Sequence, residues 1–214
     1  MKCPHCQTQV HHGLEYCVEC GFSAAMLRSY LGDQWVRLER ITDAAHCLRL
    51  EEIRRVEVLL DDFERALPQA FFAIYVGVLP AGLNVAELGF WLLNQGAFNT
   101  QQVTKRNDYG TVLVIDAASL QAGLTLGYAI EKFFPEKLLR KILDSTVRSL
   151  RQKHFGEVIR TLTCAVRQTL MRHARPGPWH PDTMMNTGIQ VQPLRQGHRP
   201  VPAAPLPVHE HSAF

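Results

Sequence analysis

Two stretches leave this chain little freedom in how it can fold. Ala70-Phe-Phe-Ala-Ile-Tyr-Val-Gly-Val-Leu79 and Thr111-Val-Leu-Val-Ile115 are continuous apolar runs, rich in aromatic and β-branched residues. A strand with one wet face alternates apolar and polar side chains. A strand that is apolar at every position is covered on both faces. Helices must therefore supply both covers. One is expected over Glu51 to Leu67, where Ile53, Val56, Leu60, Phe63 and Leu67 recur at helical spacing before Pro68 stops it. A second starts at Asn84, whose side chain can cap while Glu87 reaches back, carries Val85, Leu88, Trp91 and Leu92, and ends at Gly96. The polar Asn99 to Asp108 stretch reads as a loop. Leu124, Leu126, Tyr128 and Ile130 alternate and predict a third strand. After Pro135 a stripe of Leu138, Leu139, Ile142, Leu143, Val147 and Leu150 predicts one helix, and Val158, Ile159, Leu162, Val166 and Leu170 predict the last. This order implies an α/β fold, a sheet with helices on its faces.

Ahead of this domain stand two Cys-x-x-Cys pairs, Cys3-Pro-His-Cys6 and Cys17-Val-Glu-Cys20, ten residues apart. Each pair can turn two sulfurs toward one ion, and the short connection lets the turns face each other. Four thiolates in that arrangement suit tetrahedral zinc. A segment of this length cannot bury a useful core, so the metal would organise it. With Cys3, Cys6, Cys17 and Cys20 all bound, no position stays open and the zinc is structural. Cys-Pro-His-Cys is also a redox dithiol motif. That use requires a preceding strand, for which residue 3 leaves no room here, and it has no part for the second pair. His11 and His12 between the pairs read as loop residues. Cys47 and Cys164, in apolar helical contexts, read as small buried hydrophobes.

The rest of the chain organises around these parts. Residues 1–22 form the zinc knuckle, 23–40 a linker helix, 41–172 the α/β domain. Residues 173–214, with eight prolines and little periodicity, read as a disordered tail. The tail histidines His173, His180, His198, His209 and His211 read as solvated. The net charge of +3 and a knuckle whose sole cation is Lys2 argue against dedicated nucleic-acid binding. No apolar run has transmembrane length, which leaves peripheral membrane association open. The polar amino terminus does not read as a secretion signal, and cysteines set out for metal suit a reducing compartment, so a cytoplasmic location is expected.

Several segments, taken in order, resemble the TPM-domain family over about residues 41–172. They are Ile41-Thr-Asp43 followed by a helix ending at Leu67; the Phe72-Ala-Ile74-Tyr-Val76 strand; Asn107-Asp108-Tyr109-Gly110 leading into Thr111–Ile115; Leu126-Gly127-Tyr128-Ala129-Ile130-Glu131; and Phe155-Gly156 opening the last helix. The resemblance implies a three-layer α/β/α sandwich. It also implies a loose functional class: acid phosphatases, binders of calcium or a similar divalent ion, and factors in the upkeep of membrane protein complexes. The chain departs from the family pattern in lacking an Arg within Asp116–Gly123, in placing Ala129 where a second Gly is usual, and in continuing with Lys132-Phe-Phe-Pro135.

The residues themselves supply no complete catalytic set. Arg54 is out of register with Cys47 for a thiol phosphatase, and Cys164 has Leu170 where arginine is required. There is no glycine-rich phosphate loop. What remains is metal-assisted chemistry. Asp116 ends a strand, and Asp43 and Asp108 lie in the family-like segments; gathered at one sheet edge, these carboxylates could hold Ca2+ or Mg2+. Taken singly, each also reads as an ordinary cap, turn or strand end. The leading expectation is a protein-interaction or membrane-complex maintenance factor with a protein partner. The alternative is a divalent-metal-dependent acid phosphatase acting on phosphomonoesters.

Overall fold

The computed structural model describes residues 2–10, 15–32, 36–99 and 107–174. His11, His12 and the tail beyond Ala174 lie outside them, and with them the expectation of disorder. In chain order the elements are α1 (Ala24–Leu31), β1 (Val36–Glu39), β2 (Ile41–Asp43), α2 (Leu50–Ala66), β3 (Phe71–Gly77), α3 (Val85–Gln95), β4 (Gly96–Asn99), a 3-10 turn (Asn107–Tyr109), β5 (Gly110–Asp116), β6 (Gln121–Leu126), α4 (Tyr128–Glu131), α5 (Glu136–Asp144), α6 (Val147–Arg151) and α7 (Phe155–His173).

The central sheet runs β2-β3-β5-β6. β2 and β5 flank β3 in parallel, with Asp43 opposite Val76 and Gly77 opposite Asp116, while β6 returns antiparallel along β5. β3 and β5 are buried almost throughout, as their unbroken apolar composition requires. Because side chains alternate across a sheet, Phe72, Ile74, Val76, Leu113 and Ile115 join one core with α2, α5, α6 and α7, including Phe63, Ile142, Leu150 and Leu162. Phe71, Ala73, Val112 and Val114 join a second with Leu88, Trp91 and Leu92 of α3 and Leu27 of α1. The fold is thus the three-layer α/β/α sandwich. β1 and β4 form a separate parallel pair.

Three elements differ from the sequence reading. The third strand ends at Leu126; Gly127 to Glu131 turn into α4, with Ile130 donating back to Gly127. Gly127 is required there, because a Cβ would collide with the carbonyl oxygens of Asn107 and Asp108. The stripe from Leu138 to Leu150 is two helices. Ser145 and Thr146 donate their hydroxyls to the carbonyls of Ile142 and Leu143, 2.6 and 2.8 Å away, and break the run. The stretch from Ser23 to Arg40 holds α1 and β1 rather than one linker helix.

Candidate metal centre

The two cysteine pairs fold into matching turns. Cys3 N–H donates to Thr8 O and Gln7 N–H to Cys3 O; Cys17 N–H donates to Phe22 O and Gly21 N–H to Cys17 O. Each turn leaves through a left-handed residue, Gln7 at φ 63° and Gly21 at φ 73°. Short antiparallel bridges, Lys2 with Gln9 and Tyr16 with Ser23, close each hairpin.

This repeat places the four sulfurs at the corners of a compact cluster. Cys3 Sγ is 3.7 Å from Cys20 Sγ and Cys6 Sγ 3.6 Å from Cys17 Sγ, and all four lie within 4.8 Å of one another. A tetrahedron with metal–sulfur bonds of about 2.3 Å has sulfur–sulfur edges of about 3.8 Å. The cluster therefore has the dimensions of a four-thiolate metal site, and it could hold a metal ion. The thiols are strongly unequal. Hydrogen bonds from the Thr8 side chain and backbone draw Cys6 down to about 6. At Cys20 the Phe22 backbone hydrogen bond acts downward, but burial and the thiols of Cys6, Cys17 and Cys3 prevail and push it up to about 12. Burial raises Cys3. Four sulfurs this close cannot all carry charge without a cation between them.

The knuckle is not a free appendage. Cys3, Cys17 and Phe22 belong to the same core as Trp91 and Val112. Phe22 meets Phe90 of α3 edge-on, with centroids 6.3 Å apart, and stacks beside His5. His5 Nδ1 lies 2.6 Å from Oε1 of Glu87, a side chain only 5% exposed. The other Glu87 oxygen accepts the Asn84 N–H at 3.0 Å, while Asn84 Oδ1 caps the N–H groups of Ala86 and Glu87. The capping pair visible in the sequence thus doubles as the anchor of the knuckle, a use that the local Asn84–Glu87 spacing could not reveal. The sequence signal was His5 itself, between the two cysteines.

The three candidate carboxylates do not converge. Asp43 and Asp116 both sit at the carboxyl edge of the sheet, on strands separated by β3, hence about 10 Å apart. Asp108 lies before the first residue of β5, at the opposite edge, about 20 Å from Asp116 along the strand. Asp43 accepts the N–H groups of Cys47 at 3.1 Å and Leu48 at 2.8 Å, closing the turn before α2. Asp116 accepts from Leu79 N, Ala118 N and Ser119 Oγ at 3.4, 3.0 and 2.5 Å. Burial acts upward on Asp116, but these donors outweigh it and hold the carboxyl below its ordinary range. Among the described residues, the four cysteines are the group of three or more ligands close enough to share an ion. Cys47 is half-buried at the core edge; Cys164 lies exposed on α7, not inside as its neighbours suggested.

Comparisons with known proteins address the larger domain. No curated protein matches the chain. Two solution NMR structures are among those that match the chain. The N-terminal domain of a protein from P. gingivalis is 19% identical, with 63% of this chain and 83% of that chain covered and a TM-score of 0.48. The N-terminal domain of a Corynebacterium glutamicum protein is 12% identical, with 66% and 86% covered and a TM-score of 0.48. The profile of the TPM domain matches residues 41–169, from the first residue of β2 to the last turns of α7. That match spans more than half of the 214 residues, and the chain belongs to the TPM-domain family.

Proposed function

We propose that this TPM-domain protein carries a structural zinc ion on Cys3, Cys6, Cys17 and Cys20, and works through contacts with a protein partner, in the maintenance of a membrane complex, rather than through catalysis. The observation that carries this reading is the closed four-sulfur cluster docked on α3: its ligands are all protein sulfurs, which leaves no coordination site for substrate. Zinc is favoured over iron as the simple tetrahedral ion for two Cys-x-x-Cys turns. On this reading the protein works in the cytoplasm, where thiols stay reduced. Among the described residues no helix is long and apolar enough to cross a membrane. The surface we assign to the partner is the knuckle and α1, where Tyr16, Val18, Met26 and Tyr30 are exposed and where Tyr16, Phe22 and Phe90 help to line a cleft of about 630 Å³.

The second reading, a phosphatase using Ca2+ or Mg2+, is favoured by one observation: Asp43 and Asp116 share the carboxyl edge of the sheet, where open α/β folds bind ligands. Its third carboxylate, Asp108, contributes from the far edge only in a different conformation. Incubation of the zinc-loaded protein with an aryl phosphate and each divalent ion separates the readings. The interaction reading predicts no turnover above that of the Asp116→Ala and Asp43→Ala variants. Metal-dependent turnover abolished by either substitution overturns it.

A further inference from the structure

The modest net charge of the chain conceals a strong segregation. Between Lys132 and Ala174 there are ten lysines and arginines against three acids; the remainder has thirteen basic residues against seventeen acidic. Six of these ten basic residues stand on α5, on α6 or at the turn that follows α6. α5 turns Ile142 into the core, with Leu138 and Leu143 packed against it, and this points Lys137, Arg140 and Lys141 outward. α6 buries Leu150 and exposes Arg148 and Arg151, and Lys153 follows, exposed, just before α7. The three acids of this stretch do little to neutralise them. Glu136 is shared by Lys2 and Arg140, Glu157 is held by Arg160, and Asp144 is the remaining one. Among the described residues Lys137, Lys141, Arg148 and Arg151 have no ion pair. On another helix, α2, six acids outnumber Arg54, Arg55 and Arg65, although Glu51, Asp61, Asp62 and Glu64 are held in ion pairs.

We infer that the outer face of α5 and α6 is a docking surface for an anionic lipid bilayer. Unpaired cations spread over two short helices complement a field of headgroup charges rather than a single anion, and each adds attraction that salt screens. Two apolar side chains stand among the cations: Leu139, half-buried, and Val147, 40% exposed. Such residues enter the headgroup boundary when basic side chains draw a helix down. Nucleic acid fits less well. Single strands stack on aromatic side chains, and α5 and α6 contain none. The inference uses none of the cysteines and stands independently of the proposed zinc.

Vesicle flotation of the full-length protein tests it. Binding is expected to vesicles of phosphatidylcholine mixed with phosphatidylserine, not to phosphatidylcholine alone, and is expected to disappear in about 0.5 M salt. Charge reversal by K137E, K141E, R148E and R151E together is expected to weaken partitioning at least about a hundredfold. The milder pair K141Q and R148Q is expected to give an intermediate loss at unchanged melting temperature. R54E and R55E on α2 are expected to leave binding intact. Equal binding to both vesicle types, full binding by the fourfold variant, or salt-sensitive binding to nucleic acid without vesicle binding would overturn the inference.

Discussion

Cys6 and Cys20 stand at opposite ends of the thiol range, near 6 and near 12, although their sulfurs belong to one cluster. A bound cation must displace the proton held on Cys20, so protons and metal compete for the site. Metal is therefore retained at neutral pH and released on acidification; a chromophoric chelator followed across a pH series reads this directly, and release that increases with rising pH would contradict it. Gly21 shows how tightly the turn is specified. Its φ of 73° is open to glycine at little cost, and there is free space around it, so Gly21→Ala should cost about 1–2 kcal/mol of knuckle stability through backbone strain alone. Asp116 is a second residue-level case. Its folded value is depressed, so its stabilisation is complete above the unfolded value near 3.8 and is lost as pH falls through the folded one. Asp116→Ala strands the donors of Leu79, Ala118 and Ser119, and urea titration at pH 7 should show a loss of about 1–3 kcal/mol that shrinks in acid.

At the scale of elements, legibility followed the strength of local signals. β3 and β5 were readable because double-sided burial leaves no polar position, and α3 because Asn84 and Glu87 mark its start in the chain itself. β1, β2 and β4 were not: strands of three or four residues carry too few side chains to show a period. The continuation of β6 through Tyr128 and Ile130 misled because alternation persists into α4, whereas the constraint at Gly127 comes from Asn107 and Asp108, some twenty residues back. Gly127→Ala forces a Cβ against backbone rather than against a mobile side chain, and chemical denaturation should show at least about 1–3 kcal/mol of destabilisation. The cysteine spacing made the four-sulfur cluster readable. The separation of Asp108 from Asp116 was legible as well, since the two flank one predicted strand and so stand at its opposite ends.

For the whole molecule, the consequence is coupling between the proposed metal site and a core. Cys3, Cys17 and Phe22 belong to the same core as α3, and Glu87, buried, is held by His5. Loss of the ion should therefore destabilise the sandwich as well as the knuckle, and chelation should lower the melting temperature of the entire domain in a single transition. Glu87→Ala should reproduce part of that fall with the metal still bound, separating the anchor from the ligand set. X-ray absorption at the zinc edge of purified protein tests the central claim most directly. The proposed site predicts one zinc per chain with four sulfur neighbours at about 2.3 Å; absence of stoichiometric metal, or a first shell containing nitrogen or oxygen, would contradict it.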